Sequence, residues 1–490
     1  MNILIAALIL VPFIMAAISL FIRKPRFLGV LNSAGYLVVF IASILLVMLF
    51  LWGSGSPVSA WGCVYIDYLS VFFLFTISVV AFAASIYSIG YISAETEESK
   101  MSPRRAGAYY HLFNLFSLAM FIVPILNNIA LMWIAIEMTT LLSAFLVGFH
   151  NTKESVEAAW KYIIICSVGI VFALLGIIFF YYTSSRDAGV NSMEWAAIFA
   201  KSGMLNANIV RLALIFIMVG YGTKAGLAPM HNWLPDAHSQ ALSPVSGLLS
   251  GVLIKISFYA ILRFVMLANN SAGYDYSARL FTAFGIISIG IAGAFIVVQK
   301  DLKRLLAYSS IENIGLVSLG FGFGMFGGVF AGLLHAFNHA VTKSLMFFSS
   351  GNVVKAYGGN NMNGMQGVLR SMPFTGISMF LGLFAIAGMP PFSMFISKFS
   401  IFVSAFRGRF YIAALAMFLF IALAFAGLLY HMSKVILGRP PRDMGRVKEA
   451  LSSKLSFIFL MAFIIGFGLY IPRGFLDLLA GCQRLVLGIH

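Results

Sequence analysis

Helix-length apolar runs recur from one end of this chain to the other, and they constrain the fold more than any other feature. About twenty apolar residues cross a bilayer as a helix. In hydrocarbon the backbone must satisfy its own hydrogen bonds, which restricts spanning structure to helices and closed barrels. The chain is expected to be an all-α polytopic membrane protein. Its periodicity predicts about fourteen transmembrane helices. They start near Asn2, Phe27, Leu69, Tyr109, Asn128, Ala158, Val210, Pro244, Leu280, Leu305, Met325, Phe374, Tyr411 and Leu455. The first run, Ile3–Ile22, is too long for a signal peptide's apolar region. No small-residue cleavage site follows it, so it is read as a true span. No soluble domain interrupts the series, and the longest polar gaps are Ser93–Gly107, Thr183–Ala207, Lys355–Ser371 and Lys434–Ser453.

Composition agrees: 61% of residues are hydrophobic and 10% charged, against about 25% charged in soluble proteins. The net charge of +16 fits basic loops on one membrane face, not nucleic-acid binding. With the N-terminus outside, the inner loops hold Arg23, Lys24, Arg26, Arg104, Arg105, Lys300, Lys303, Arg304, Arg439, Arg442 and others. They carry about twice as many basic residues as the outer loops, which would include Arg263 and Arg407. Both termini are thus expected on the non-cytoplasmic side of a cell inner membrane. Cys63, Cys166 and Cys482 are far apart and form no C-x-x-C, which argues against an iron–sulfur or structural zinc site. The "GFGMFG" of Gly322–Gly327 follows no strand, and no P-loop is present, so nucleotide binding is rejected.

The remaining charges are the unusual ones. Lys161 lies near a helix start and can snorkel. Lys224, Lys255, Lys343, Lys398, Glu137 and Glu312 lie within apolar sequence, where a charge costs about 2.5–3.5 kcal/mol on the insertion scale. Such residues are functional candidates by default. In "VGYGTKAGLAPMHNWLPDAH", Lys224 precedes Gly226 and Pro229. A proline here removes an N–H and clashes with the carbonyl of Ala225, so a helix break beside a small hydrated pocket is expected. His231 and His238 follow it as accessory candidates. "AIAGMPPFSMFISKF" repeats the pattern about 160 residues later, with Gly388, Pro390 and Pro391 before Lys398. Paired interruptions in two halves point to a transporter-like site. Lys398 has Ser393, Ser397 and Ser400 around it.

Glu137 has only Thr139 and Thr140 near it in its helix and needs a partner from elsewhere; Lys224 is the choice. An ion pair that opens and closes would be a proton switch, since burial and pairing push a lysine's proton affinity in opposite directions. The alternative is a static salt bridge. His335, His339 and Lys343 are spaced i, i+4, i+8 on one face, with Asn338 and Thr342 beside them. Histidines relay protons; a metal site is disfavoured because Lys343 would repel a cation. Glu312 lies within about two turns of Lys303 and Arg304 and is expected to pair locally or join the relay. The path reads Glu137, Lys224, Lys255, His335, His339, Lys343, Lys398.

"KAGLAPMHNWLPDAHSQALSPVSGLLSGVLIK", "DLKRLLAYSSIENIG", "HAFNHAVTKSLMFF" and "GMPPFSMFISKF" resemble the antiporter-like subunits of respiratory complex I, Mrp-type antiporters and energy-converting hydrogenases. "LPDAHSQALSPVSGLLSGVL" and "YSSIENIG" look most like the F branch of the hydrogenase-4 membrane proteins. The resemblance implies helices 1–3 over 1–108 and two inverted five-helix repeats over 109–266 and 279–437. Helices 7 and 12 would be broken, and helix 14 with its tail would occupy 438–490. It assigns the functional pair to Glu137 and Lys224, the helix-eight lysine to Lys255, the helix-eleven stripe to His335, His339 and Lys343, and the helix-twelve terminal residue to Lys398. Ser250 stands where some relatives have histidine. The chain ends at His490 without the long lateral helix of the largest complex I member, which suggests the shorter type. The expectation is a proton-translocating subunit of a redox-driven complex. It would hold no cofactor itself, with redox cofactors in partner subunits and a peripheral redox arm beside other membrane subunits. The alternatives are a Na⁺/H⁺ antiporter subunit and a non-pumping hydrogenase scaffold.

Overall fold

The protein is described by a computed structural model covering residues 1–53, 55–60, 62–441 and 444–489. Arg442, assigned to an inner loop, and the chain end at His490 lie outside the described residues. The first six helices are α1 (Asn2–Ser19), α2 (Pro25–Trp52), α3 (Tyr68–Glu97), α4 (Pro103–Ile122), α5 (Ile129–Val147) and α6 (Lys153–Ala188). A broken helix follows, α7a (Ala207–Ala225) and α7b (Trp233–Gln240). Next come α8 (Ser243–Ala272), α9 (Tyr274–Val298), α10 (Leu302–Gly322) and α11 (Gly328–Tyr357). A second broken helix is α12a (Pro373–Ala387) with α12b (Ser393–Arg407). The chain closes with α13 (Tyr411–Leu437), α14 (Leu451–Leu469) and α15 (Arg473–Leu487). One small antiparallel hairpin, Val58–Ala60 with Val64–Ile66, decorates the α2–α3 loop.

Local chemistry starts and stops these helices. Asp67, Ser102, Asn128, Thr152 and Asp301 each cap an N-terminus through a side-chain oxygen, as short acceptor side chains do.

Eleven helices among the described residues are long and apolar enough to cross a membrane, so the chain is a multi-pass membrane protein. Those outside that set are informative. α10 and α11 have the length but carry polar residues, and α12 is divided into two short pieces. These are the helices that hold Glu312, His335, His339, Lys343 and Lys398. The expectation of about fourteen spans counted all three as apolar runs. α8 is buried from Ser243 to Ala268, while the most apolar stretches of α1, α2, α13 and α14 are buried over a third of their length. The polar helices therefore sit behind an apolar outer layer.

The loops associate in two sets. Bridges join Val64 to Leu126 and Asn128 to Glu194, linking the loops after α2, α4 and α6. Another joins Asp301 to Asn361, linking the loops after α9 and α11. Odd-numbered and even-numbered connections thus collect separately, as an alternating membrane topology requires.

Two basic residues read as loop charges are buried. Arg263, expected in an outer loop, forms a fork with Asp67, Nη1 to Oδ2 at 2.5 Å and Nη2 to Oδ1 at 2.9 Å. It also donates to Ser70 and the Tyr259 hydroxyl and lies 4.5 Å from the Trp195 ring centroid. The planar guanidinium suits this bidentate and stacked environment. Lys303, expected in an inner loop, is buried and donates to the carbonyl of Ala241 at 2.9 Å. Moving one residue from each set leaves the basic bias nearly as it was.

Removing one member of a buried pair leaves the other charge uncompensated, at a cost of about 3–5 kcal/mol. Asp67→Ala is expected to destabilise by that amount. Thermal unfolding of the detergent-solubilised chain checks it; a midpoint equal to wild type would show that Arg263 does not depend on Asp67.

Candidate functional site

The two broken helices end in the same way. At the first, the N–H of Leu227 reaches the carbonyl of Gly222 at 2.9 Å and that of Gly226 reaches Thr223 at 3.2 Å. At the second, Met389 reaches Phe384 at 3.1 Å and Gly388 reaches Ala385 at 3.0 Å. Gly226 and Gly388 have φ of +77° and +81°, so each break is a glycine C-cap of the Schellman type. The expected cause, Pro229 clashing with the Ala225 carbonyl, is corrected: α7a has already ended at Gly226, before the proline. Pro229, Pro390 and Pro391 lie in the connecting turns. Gly388 has a second use, because a Cβ there would stand 2.9 Å from the Lys398 Cδ.

At the first break, Lys224 is fully buried. Its Nζ donates to the Ile136 carbonyl and to the Thr140 hydroxyl, both on α5. Thr140 donates to Glu137 Oε2 at 3.0 Å, and Ser167 on α6 donates to Oε1 at 2.7 Å. Glu137 and Lys224 come together as expected, but not in direct contact. Thr140 stands between them, and the lysine is held by the backbone of the glutamate's own helix.

Most of the other candidates converge on α10. Lys343 on α11 donates to the Leu306 carbonyl at 2.8 Å and to the Ser309 hydroxyl. Ser310 meets Ser250 of α8, oxygen to oxygen at 2.7 Å. Glu312, 1% exposed, pairs with Lys398 of α12b at 3.1 Å. Lys398 also donates to the Ile386 carbonyl in the last turn of α12a, at 2.8 Å. Asn313 Oδ1 meets His335 Nε2 at 3.0 Å, and Ser397 Oγ meets His335 Nδ1 at 2.9 Å. The local pairing expected for Glu312 is thus corrected. Lys303 is about half a turn out of phase with it, and Arg304 is ~12 Å away along the helix. Arg304 pairs instead with Asp236 of α7b at 2.6 Å, beside Lys161 at 3.5 Å.

Lys255 is held by its own helix. α8 contains a π turn at Leu249–Leu253, and the Lys255 Nζ returns to the Ser250 carbonyl. His339 is buried with its ring 6.4 Å from that of His335, and neither ring nitrogen meets a protein partner among the described residues. His238 is the same, stacked on Phe347 at 4.7 Å. His231 Nδ1 and Asn338 Oδ1 are also unmatched. Buried polar groups are normally paired with protein or water, and among the described residues the protein supplies no partner to these. Sequence reasoning did not single out Asn313, Ser167, Ser309 or the Asp67–Arg263 pair. Thr140 and Ser397 were noted only as neighbours. Uncharged polar side chains give no signal until a partner helix is in place.

Broken helices that bring lysines and carboxylates to buried positions define a transporter-type membrane protein. The chain belongs to the NADH:quinone oxidoreductase/Mrp antiporter family, whose transmembrane pattern matches residues 127–424. Residues 58–100 match the pattern described as NADH-ubiquinone oxidoreductase (complex I), chain 5 N-terminus. The hydrogenase-4 component F homolog of Methylacidiphilum infernorum is 36% identical over 485 residues, 98% of this chain and 99% of that one. Among solved structures, a chain of the membrane-bound sulfane sulfur reductase, an archaeal respiratory membrane complex, superposes with a TM-score of 0.87 at 24% identity. It covers 99% of this chain and 97% of that chain. A chain of the Mrp complex from Dietzia sp. gives 0.85 at 19% identity, covering 99% and 98%. The resemblance read from the sequence is to this family.

The hydroxyl between Lys224 and Glu137 has a direct test. Thr140→Val keeps the shape and removes the bridge, and is expected to slow proton translocation about tenfold, the effect of ~1.4 kcal/mol on a barrier. Thr140→Ser should restore it. Equal rates for wild type and Thr140→Val, measured by dye quenching in vesicles, would remove Thr140 from the site.

Proposed function

We propose that the chain is a proton-translocating, antiporter-like membrane subunit of a redox-driven complex, of the energy-converting hydrogenase or NADH-quinone oxidoreductase type. The observation that carries this reading is the series Lys224–Thr140–Glu137, buried at the lysine and threonine and part-buried at the glutamate, in which an ammonium, a hydroxyl and a carboxylate share consecutive hydrogen bonds. A hydroxyl so placed accepts from one side and donates to the other, so it passes a proton by exchanging hydrogens without moving its oxygen. Opening the contact leaves Lys224 buried and unpaired, which favours loss of its proton; closing it favours retention. Moving one charge against 100 mV costs roughly 2.3 kcal/mol, within the range that burial and pairing shift a lysine.

The remaining candidates extend the path. Lys255, the His339 and His335 pair, Lys343 and the Glu312–Lys398 pair lie on α11 and on the helices α8, α10 and α12b packed against it, with bound water bridging the unmatched imidazoles. Ammonium and imidazole groups carry protons and repel cations, which favours protons over sodium as the transported ion. Redox chemistry and its cofactors belong to partner subunits, with a peripheral arm supplying the energy that opens and closes the first contact. The basic bias of the loops supports an inner-membrane location with both termini on the non-cytoplasmic side.

In vesicles containing the assembled complex, Lys224→Ala and Glu137→Gln should each abolish redox-driven proton uptake while electron transfer continues or slows. Unaltered uptake in both would reject the switch and leave a scaffold.

A further inference from the structure

His335 is bracketed by two side chains whose hydrogen bonds are not interchangeable. Asn313 sits on α10 with its Nδ2 donating to the Ser309 carbonyl at 2.6 Å and toward Glu312 Oε2 at 3.3 Å. Both are acceptors without a hydrogen of their own, so the amide cannot be turned over. Its Oδ1 must face His335 Nε2, 3.0 Å away, and that nitrogen must carry hydrogen. On the other side, Ser397 Oγ lies 2.9 Å from Nδ1 and 3.1 Å from the Met394 carbonyl. A hydroxyl has one hydrogen and can give it to either. Asn338 Nδ2, at 3.4 Å from Ser397 Oγ, donates to that oxygen in both cases.

We propose that Asn313 and Ser397 are positioning residues that make Nδ1 the proton-exchanging nitrogen of His335, with Nε2–H held permanently by Asn313. When the ring is neutral, Ser397 gives its hydrogen to Nδ1. When a water or ammonium on the path delivers a proton to Ser397 Oγ, the serine's own hydrogen passes to Nδ1, the new N–H points to Ser397 Oγ, and the hydrogen the serine has received turns to the Met394 carbonyl. One proton is gained and one hydroxyl rotates, and the Asn313 contact stays as it was. The charged groups that act on this ring are Lys398 from α12b and Lys255 from α8; the His339 ring lies 6.4 Å away on α11 itself, and Glu312 of α10 reaches it only through the Asn313 amide. Next to this ring, at Phe337, α3, α14 and α15 pack through aromatic rings; the Lys355–Glu95 pair and the Tyr87–Asn352 hydrogen bond between α11 and α3 lie farther along the helix.

The arrangement ties His335 to the Glu312–Lys398 pair. The same carboxylate that accepts from Lys398 through Oε1 accepts from the Asn313 amide through Oε2. Its use in transport rests on the proton-translocation reading, whereas the tautomer does not.

The test is nitrogen-15 magnetic resonance on the full-length chain in lipid bilayers, with ring-labelled histidine and His335 assigned by difference from His335→Gln. The expected neutral form has Nε2 protonated and Nδ1 unprotonated. Asn313→Leu should lose that preference and show Nδ1 protonated in a substantial fraction. Ser397→Ala should keep Nε2 protonated while shifting the Nδ1 resonance through loss of its donor. A wild-type ring protonated at Nδ1 overturns the proposal, as does an unchanged tautomer in Asn313→Leu. If Asn313→Leu does not fold, an unshifted Nδ1 resonance in Ser397→Ala overturns it. Unaltered redox-driven proton uptake in an Asn313→Leu complex whose tautomer has shifted counts against the transport reading alone.

Discussion

A charged side chain in the hydrocarbon layer has no bulk water to fall back on, and this constraint orders the whole centre of the molecule. Each buried lysine is given a specific acceptor. Lys224 takes a carbonyl and a hydroxyl of α5, Lys255 a carbonyl of its own π turn, Lys343 a carbonyl and a hydroxyl of α10, and Lys398 a carboxylate and a carbonyl of α12a. Four of these acceptors are backbone carbonyls. A carbonyl holds an ammonium without cancelling its charge, so Lys224, Lys255 and Lys343 are restrained in place by hydrogen bonds and not by a direct counter-ion. Full ion pairs are spent sparingly. Asp67–Arg263 is a fork closed by aromatic rings, suited to permanence. Glu312–Lys398 is a single contact beside a helix break.

The breaks supply the freedom that unbroken helices lack. Both are glycine-capped ends, and at the second the carbonyl of Ile386 is left for Lys398 while the missing Cβ of Gly388 leaves space for its stem. α10 then acts as the common wall. Over the short span from Leu306 to Asn313 it meets α8, α11 and α12b through five polar groups. Its capping by Asp301, whose other oxygen accepts from Ser239 at 2.9 Å, anchors it to α7b at one membrane face. The second piece of the first broken helix is thus hydrogen-bonded to the start of the helix that organises the second break.

The lysines, histidines and glutamates were legible in the sequence because a charge inside an apolar run needs an explanation. So were the two interruptions, which glycine and proline mark. Their cause was not: Pro229 is the conspicuous residue, but the positive φ that ends the helix belongs to Gly226, three positions earlier. Partners were the least legible. Glu312 reads as a neighbour of Lys303 and Arg304 along the chain, yet helical phase turns Lys303 away, helical rise puts Arg304 out of reach, and Lys398 arrives from a helix that starts some eighty residues later. Arg263 reads as a helix-end loop charge and proves to be buried, because Asp67 is nearly two hundred residues away. Thr140 and Asn313 carry no charge: the first reads only as a neighbour of Glu137 and the second gives no signal, until two helices stand side by side.

The central claim is that these separate holding points are joined by water where the protein offers nothing, above all around His339. Cryo-electron microscopy of the assembled complex at a resolution that resolves ordered water examines this directly. The account expects density within hydrogen-bonding distance of a His339 ring nitrogen, with Glu312 and Lys398 in contact. A dry, apolar enclosure around that ring, with Lys398 turned away from Glu312, would contradict it.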